Sequence, residues 1–529
     1  MAIMYIFVAL VLFSCIIADK FSGKFGLPAL ILFMSIGMLF GCDGIFKIEF
    51  DNYELAEKVC AIALSFIMFY GGFNTKWKTA KPIAAKAIAL STLGVLITSA
   101  LVSLFCYVVL KFGFIESFLI GAVLSSTDAA SVFSILRKKK LNLKDGTAPL
   151  LEIESGSNDP VSYLLTMIGI LLVSSGGTEK IPYMIFAQII FGILIGVLIA
   201  FLGIFVYTKT NIIPEGLDTI FMIGLVLLAF GLSEITKGNE FLSVYLLGII
   251  LGNSPIKNKN VMIPFFDGVT SLAQIITFFL LGLLAYPNKM PQIILSALLI
   301  ALFITLVARP IAVFTILSPF KCGIKQNLLI SWAGLRGAAS IVFSIMVVAE
   351  GGDMSFDIFH IVFMVALFSV AIQGTLIPKV AEKLDMVDNA SDVRKTFNDY
   401  QEEAALTLMR MYIPKGHNWS DKKVCEVSMP TGSLALMIKR NNETIIPNGD
   451  TEILAEDSVI LSVPAYEASE KEKLKEIHIG SKHKWKNKSI QNLNLPDNVL
   501  IALIKRQDEN LIPSGSTVIL ENDIVVVYK

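Results

Sequence analysis

The chain opens with a series of apolar runs separated by short polar loops, and this pattern continues to about residue 380. An α-helix needs roughly 20 apolar residues to cross a bilayer core of about 30 Å, and runs that approach this length predict about thirteen membrane-spanning helices. The expected ranges are 3–18, 27–41, 55–73, 83–110, 114–136, 147–173, 182–207, 217–235, 239–252, 265–286, 291–317, 325–349 and 356–379. The first run has no basic leader and is followed by Asp19 and Lys20. It is therefore interpreted as a spanning helix rather than a signal peptide.

Lysine and arginine are divided unequally between alternate loops. Most of them lie in one set of loops: Lys20 and Lys24; Lys76, Lys78 and Lys81; Arg137 to Lys140 with Lys144; Lys209; Lys257 and Lys259; Lys321 and Lys325; and Lys379. The other set holds roughly one lysine per loop, and basic loops stay on the cytoplasmic side of a membrane. We therefore expect a multi-pass protein of the cytoplasmic (inner) membrane, with its N-terminus outside and its C-terminal tail in the cytoplasm.

The composition agrees with a chain that lies mostly in lipid. Apolar residues make up 54% and charged residues 17% of the 529 positions, but charges become dense after about residue 380. The expected fold class is an all-α polytopic membrane domain at 1–380, a charged linker at 381–408, and an α/β cytoplasmic regulatory tail with modules at 409–480 and 481–529. Net charge is zero and the six cysteines are scattered singly. Membrane lipid is thus an expected partner, whereas nucleic acid, a disulfide framework and a structural metal site are not.

Two acidic segments interrupt the apolar runs. The fifth predicted helix carries the polar run SSTD at 125–128, and the sixth carries ESGSNDP at 154–160. A charged side chain in lipid costs about 2.5 to 3.5 kcal/mol on insertion scales, so the two aspartates mark an ion or proton site by default. Ser125 and Ser126 are expected to bond back to their own helix or to a neighbouring helix, as hydroxyls in membrane helices commonly do.

The oxygen-bearing residues of the sixth helix are spaced by one helical turn. Glu154 and Asn158 are four positions apart, and so are Ser155 and Asp159, which places two neighbouring stripes on one side of the helix. Carboxylate, amide and hydroxyl oxygens suit a small cation such as sodium or potassium. A buried carboxylate can hold either a proton or a cation, and competition between them gives exchange. If Asp159 alone alternates, the exchange is electroneutral.

A further interruption lies late in the chain, where the run WAGLRGAAS places Arg336 between two glycines. A buried arginine needs a counter-charge. We expect Glu154 to supply it, which leaves Asp159 and Asp128 for a mobile ion. Arg309, beside a proline nearer the cytoplasmic end of its helix, is expected to reach the interface in a structural role.

The interruptions fall in the fifth and twelfth predicted helices, which correspond if two inverted six-helix units flank helix seven. Interrupted helices at matching places in inverted halves point to a transport site near the membrane midplane, so the residues alone predict a secondary transporter. A ligand-gated potassium channel is a less favoured alternative, because its carbonyl filter sequence is absent. An intramembrane enzyme would need a histidine or lysine beside the serines of these motifs, so no catalytic residue is expected.

The segments STD at 126–128, LLEIESGSNDP at 150–160 and GLRG at 334–337 resemble those of NhaP-type monovalent cation/proton antiporters. The resemblance is to the potassium/proton subgroup with a TrkA-C-like tail, and it implies a thirteen-helix inverted-repeat fold, a homodimer and an elevator-like movement. It implies cation and proton binding by Asp159, Asp128, Ser155 and Thr127, with structural support from Asn158, Glu154 and Arg336. The transported alkali cation would contact Asp159 and Asp128, and no resident cofactor is implied. Asp128 is followed by Ala129 where many sodium-selective relatives have proline, so potassium is the expected cation and sodium the alternative.

The tail contains a tandem repeat with a period of 66 residues, so that Arg440 and Asp457 recur as Arg506 and Asp523. Short β-branched segments around a Pro-x-Gly turn predict strands in each copy. The unit resembles the C-terminal module of TrkA-like regulators of potassium conductance. This resemblance implies regulation through dimerisation or a small-molecule regulator such as a nucleotide. A plain dimerisation domain is the alternative, since no glycine-rich phosphate loop is visible.

Overall fold

The chain forms two units in the computed structural model, Met1–Asp392 and Val393–Lys529. The residues described are 2–25, 28–75, 77–138, 141, 143–174, 178–210, 213–214, 216–254, 256, 259–350, 357–387, 406–430, 433–440, 443–464, 474–480, 483–493, 500–506, 509–511 and 513–528. Most of the predicted linker, at 388–405, lies outside the described residues. So do four of the basic loop residues, Lys76, Lys139, Lys140 and Lys257.

Each of the expected spans coincides with helical residues of the first unit, which confirms the all-α polytopic fold class. The first half contains α1 (Ala2–Phe25), α2 (Ala29–Phe40), α3 (Tyr53–Asn74), α4 (Trp77–Ala80), α5 (Ala84–Ala89), α6 (Val95–Val108), α7 (Phe114–Val123), α8 (Ala129–Lys138) and α9 (Thr147–Val173). The connector α10 (Ile181–Lys209) is followed by α11 (Asp218–Ile235), α12 (Glu240–Gly252), α13 (Lys259–Leu283), α14 (Met290–Phe303), α15 (Arg309–Leu317), α16 (Ile324–Trp332), α17 (Ala338–Glu350), α18 (Ile358–Phe368) and α19 (Thr375–Lys383). Among the described residues, eight helical stretches are long and apolar enough to cross a membrane, and α2, α7, α12 and α17 are shorter apolar helices.

The two halves carry the same irregularities in the same order. A π-helical segment joins α5 to α6 at Leu90–Gly94, and another joins α14 to α15 at Ile304–Ala308. The next span of each half is interrupted, between α7 and α8 in the first half and between α16 and α17 in the second. A third π-helical segment, Ser369–Gly374, joins α18 to α19. The predicted breaks in the fifth and twelfth spans are therefore confirmed.

The connector α10 separates a lipid-type face from a packing face. Leu198, Phe201 and Phe205 are exposed, and an exposed apolar row on a spanning helix suits contact with lipid tails. On the other side Gly192 and Gly196 approach the backbone at the start of α12. Small residues at a helix–helix contact allow such close packing inside a membrane.

The second unit is built from strands and single-turn 3-10 helices in its described residues. Its strands are β1 (Leu406–Tyr412), β2 (Lys422–Lys423), β3 (Leu434–Arg440), β4 (Glu443–Ile445), β5 (Glu452–Ile453), β6 (Ser458–Pro464), β7 (Leu474–His478), β8 (Leu500–Arg506), β9 (Glu509–Leu511) and β10 (Ile524–Tyr528). Two four-stranded sheets have the orders β1-β6-β3-β4 and β7-β10-β8-β9, and β2 pairs with β5. All pairings are antiparallel. Because β7 belongs to the second sheet, that sheet begins ahead of the expected module start at residue 481.

The tail has two lobes, each built around one of the four-stranded sheets, and each lobe contains the same kind of Arg–Asp ion pair. Arg440 donates to both carboxylate oxygens of Asp457, at 2.8 and 2.7 Å, and Arg506 does the same to Asp523, at 2.9 and 2.8 Å. In each lobe the arginine Nη2 also donates to the carbonyl oxygen twelve residues further along, at 2.8 Å in the first and 2.7 Å in the second. The matching bonds agree with the predicted duplication.

Candidate functional site

The two helix breaks of the first unit are hydrogen-bonded to each other. The backbone N–H of Asp128, in the first break, donates to the carbonyl oxygen of Leu335, in the second, at 2.8 Å. Arg336 Nη1 donates to the carbonyl oxygen of Ser126 at 2.7 Å. The non-helical segments therefore cross, and the ends of four half-helices meet at one point inside the unit, as expected for a transport site in broken helices.

Two glycines of the second break permit this crossing. A Cβ atom on Gly337 would lie 2.0 Å from Asp128 Oδ2, and one on Gly334 would lie 2.7 Å from Arg309 Nε. Any side chain at either position would displace a charged group, so glycine is required by the close approach.

The oxygen stripes of α9 face the first break. Ser155 Oγ donates to the carbonyl oxygen of Thr127, and Asn158 Nδ2 donates to the Thr127 hydroxyl. Asp159 Oδ1 accepts a hydrogen bond from Ser126 Oγ. All five side chains are buried. The three residues of α9 that the spacing predicted to share one side of that helix therefore meet two residues of the first break.

The amide oxygen of Asn158, Oδ1, has no hydrogen-bond partner among the described residues. Asn158 is fully buried, and a buried amide oxygen without a partner is costly. Such an oxygen beside a carboxylate is suited to contact a bound cation.

The two serines make the two kinds of bond expected of them, Ser125 to its own helix and Ser126 to a neighbouring helix. Ser125 Oγ donates to the carbonyl of Ala122 at 2.6 Å, which is a bond back to its own helix. Ser126 is turned by the break towards Asp159 instead. Local spacing could not reveal this, because the partner lies on another helix, 33 residues later.

Asp128 caps the second half of the broken helix. Its Oδ1 accepts from the backbone N–H of Ser131 at 3.1 Å, and its Oδ2 accepts from the Ser131 hydroxyl. An aspartate at a helix N-terminus is stabilised by the unpaired N–H groups and the helix dipole. Asp128 and Asp159 both line one cavity of the first unit.

The expected partner of Glu154 is wrong. Arg309 Nη2 lies 2.6 and 2.7 Å from the two carboxylate oxygens of Glu154, and the two side chains are 3% and 1% exposed. Arg309 therefore does not reach the interface; it forms the buried ion pair predicted for Arg336. The reason lies in Ile304–Ala308, since a π-helical turn changes the face on which the next residue emerges, and a regular helical count does not include this shift.

Arg336 is buried beside this pair but is held by neutral groups. Apart from the bond to Ser126, its backbone N–H donates to Ser369 Oγ at 3.0 Å. Its Nε and Nη2 have no hydrogen-bond partner among the described residues. The guanidinium charge of Arg336 is therefore not neutralised by a direct ion pair in the described part of the chain.

A cavity of about 380 Å³ leads to the crossing point. Its acidic lining consists of Asp128, Glu152, Asp159 and Asp267, and none of its described lining residues is basic. Asn74, the last residue of α3, also lines it. The cavity thus extends to the C-terminal end of α3.

The contribution of α13 to the cavity wall was not predicted from the sequence. Asp267, Thr270, Ser271 and Gln274 all line it. Their separations of three, four and seven residues define one helical face, and this polar stripe was visible in a run that was interpreted only as a span. Tyr70, from α3, donates its hydroxyl to Asp267 Oδ1 at 3.1 Å.

Residues 8–383 match the family described as sodium/hydrogen exchanger, transmembrane, and residues 408–470 and 474–528 each match the TrkA-C domain. The chain is 31% identical over 461 residues to a K(+)/H(+) antiporter NhaP2 of Shewanella oneidensis, covering 86% of this chain and 79% of the relative. It is 30% identical over 451 residues to a K(+)/H(+) antiporter NhaP of Alkalimonas amylolytica, covering 84% and 78%. The fold is similar to that of the sodium proton antiporter MjNhaP1 from Methanocaldococcus jannaschii, with a TM-score of 0.63, 20% identity, and coverage of 70% of this chain and 99% of that one.

Proposed function

The chain belongs to the sodium/hydrogen exchanger family and is a monovalent cation/proton antiporter, and from this premise we propose that it exchanges potassium for protons at Asp159. The observation that carries the proposal is the crossing of the two broken helices, where Asp159, Asp128, Thr127 and Ser155 line an acidic cavity and Asn158 is hydrogen-bonded to Thr127. Hard oxygen donors in this number suit an alkali cation.

In this proposal Asp159 binds either a proton or the transported cation. When a cation enters, the carboxyl proton of Asp159 leaves to water in the cavity and the carboxylate binds the cation. Once the site faces the other side of the membrane, a proton binds the Asp159 carboxylate and the cation leaves to that side. Ser126 holds the carboxylate in place through its hydroxyl, and the free amide oxygen of Asn158 completes the cation's ligands together with Thr127 and Ser155.

The charges at the crossing favour electroneutral exchange. When all are ionised, the carboxylates of Glu154, Asp128 and Asp159 and the guanidinium groups of Arg309 and Arg336 leave one net negative charge. One proton or one monovalent cation balances that charge equally, so the loaded carrier is neutral in both directions. Reconstituted protein should therefore give no transport current on a solid-supported membrane. A current that depends on voltage would contradict this stoichiometry.

Potassium is favoured over sodium by the relatives. The potassium-named antiporters are 30–31% identical to this chain, whereas the Na(+)/H(+) antiporter 1 of M. jannaschii is 25% identical over 368 residues. Sodium/proton exchange is the alternative function. The test is the initial rate of fluorescence dequenching in everted vesicles across a concentration series of each cation at several pH values. A lower half-saturating concentration for potassium supports the proposal, and a response to sodium alone would replace it.

We further propose the oligomeric state, the membrane orientation and the regulation of the exchanger. It is a homodimer in the cytoplasmic membrane with its N-terminus outside, and its tail is a cytoplasmic regulator. The tail responds to a small molecule, for which a nucleotide is one candidate. Deleting residues 410–529 should change the pH or ligand dependence of exchange more than its maximal rate. An equal loss of both would tie the tail to folding rather than to regulation.

A further inference from the structure

The polar stripe of α13 lines the same cavity as the transport motifs. Asp267, Thr270, Ser271 and Gln274 contribute a carboxylate, two hydroxyls and an amide to it. A spanning helix gains nothing from four polar side chains on one face unless they meet water, protein or an ion. Because all four residues line the cavity, they face the cavity.

Thr270 gives an independent indication of a ligand. Threonine hydroxyls in helices commonly bond back to the carbonyl four residues earlier, as Thr75 and Thr166 do here at 2.9 Å. Thr270 is only 8% exposed, yet its Oγ1 has no hydrogen-bond partner among the described residues. Because Thr270 lines the cavity, its unpartnered oxygen is suited to contact a bound ion after a side-chain rotation.

Asp267 supplies the negative charge. The hydrogen-bond partner that the described residues give it is the neutral hydroxyl of Tyr70. Asp267 is exposed and the described lining of the cavity includes no lysine or arginine, so a mobile cation is free to approach this charge. One carboxylate with neutral oxygens matches a monovalent ion, since divalent ions are usually held by several carboxylates.

We propose that Asp267, Thr270 and Gln274 form a second site for a monovalent cation, separate from the one at Asp159. The inference rests on the proposed function in one respect, namely that the cation reaches Asp159 through this cavity. At the second site the ion exchanges part of its water shell for protein oxygens before it moves on to Asp159. The site raises the local cation concentration and so sets the apparent affinity rather than the maximal rate.

The first arm of the test measures exchange by the reconstituted full-length chain. Asp267→Asn should raise the KM for potassium about tenfold with little change in maximal rate, and Thr270→Val, which removes only the hydroxyl, should raise it about threefold. The matched control is Asp218→Asn. Asp218 also accepts a tyrosine hydroxyl, that of Tyr207 at 2.7 Å, but it is not among the residues that line the cavity. Its KM should equal that of the wild type.

The second arm counts bound cations by titration calorimetry with rubidium, which does not depend on turnover. The wild type should bind two ions per chain, Asp159→Asn and Asp267→Asn one each, and the double variant none. If Asp159→Asn removes one ion and Asp267→Asn removes none, the second site is wrong while the proposed function stands. If Asp159→Asn leaves both ions bound, the proposed function fails instead. Unchanged KM values in both Asp267→Asn and Thr270→Val would overturn the inference even if one variant folded poorly.

Discussion

The side chain of Asp159 is positioned by residues of its own helix, α9, and of the break between α7 and α8. Its position on α9 puts it beside Asn158 and one turn from Ser155, while Ser126 approaches from the break between α7 and α8. The spacing along α9 was sufficient to predict the residues of that helix. The contribution of Ser126 was not predictable in the same way, because a hydroxyl in a helix break can bond to its own helix or to a distant one.

The neighbouring serines provide a matched pair for testing the role of this hydroxyl. Ser126→Ala should lower the rate of potassium-driven proton exchange about tenfold, because the carboxylate of Asp159 loses the donor that orients it. Ser125→Ala removes a bond within one helix and should leave the rate near that of the wild type. Both are measured as initial rates in vesicles containing equal amounts of protein. Equal rates for the two variants would show that Ser126 does not position Asp159.

At the scale of elements, a buried ion pair fastens α15 to α9. The sequence predicted that Glu154 pairs with a buried arginine, which it does, although Arg336 was the expected partner. It did not predict which arginine, because the choice depends on the π-helical turn at Ile304–Ala308 and on how two distant helices cross. Both broken helices were predictable, since runs of Ser, Thr and Asp or of glycine do not continue a helix regularly.

Two variants distinguish the loss of the Arg309–Glu154 contact from the effect of leaving the Glu154 charge unpaired. Arg309→Met should destabilise the protein by about 3 to 5 kcal/mol, because Glu154 would remain buried without its partner. Adding Glu154→Gln should recover part of that loss by removing the unpaired charge. Thermal unfolding of the purified protein in detergent measures both effects. If the double variant unfolded at a lower temperature than Arg309→Met, the pair would not be the contact that matters.

At the scale of the whole molecule, two levels of repetition organise the chain. The membrane unit repeats its π-helical segment and helix break, and the tail repeats an Arg–Asp pair in each lobe. The alternation of apolar runs predicted where the helical segments lie, and the 66-residue period predicted the duplication. The exact start of the second lobe was not predictable, because β7 is recognised only by its pairing with β10.

The tail pairs give a pH-dependent prediction. Hydrogen bonds from Arg506 hold the pKa of Asp523 below its usual range. A lowered pKa stabilises the folded lobe above the ordinary value near 3.9, and this contribution disappears as the pH falls through the folded-state pKa. Arg506→Ala should therefore destabilise the second lobe by about 2 kcal/mol at pH 7, and the difference from the wild type should shrink below about pH 4.

Hydrogen exchange of the β8 and β10 amides in the full-length chain measures this effect. Arg440→Ala is the matched variant and should loosen β3 and β6 of the first lobe while leaving β8 and β10 protected. A uniform loss of protection in both lobes from either variant would mean that the lobes do not unfold independently.

The most direct test of the central claim is potassium-driven proton movement in vesicles reconstituted with purified protein, comparing the wild type with Asp159→Ala. The account predicts dequenching on potassium addition in the wild type and none in Asp159→Ala, with both proteins running as the same folded species on size exclusion. Wild-type exchange by a correctly folded Asp159→Ala variant would contradict the assignment of the site.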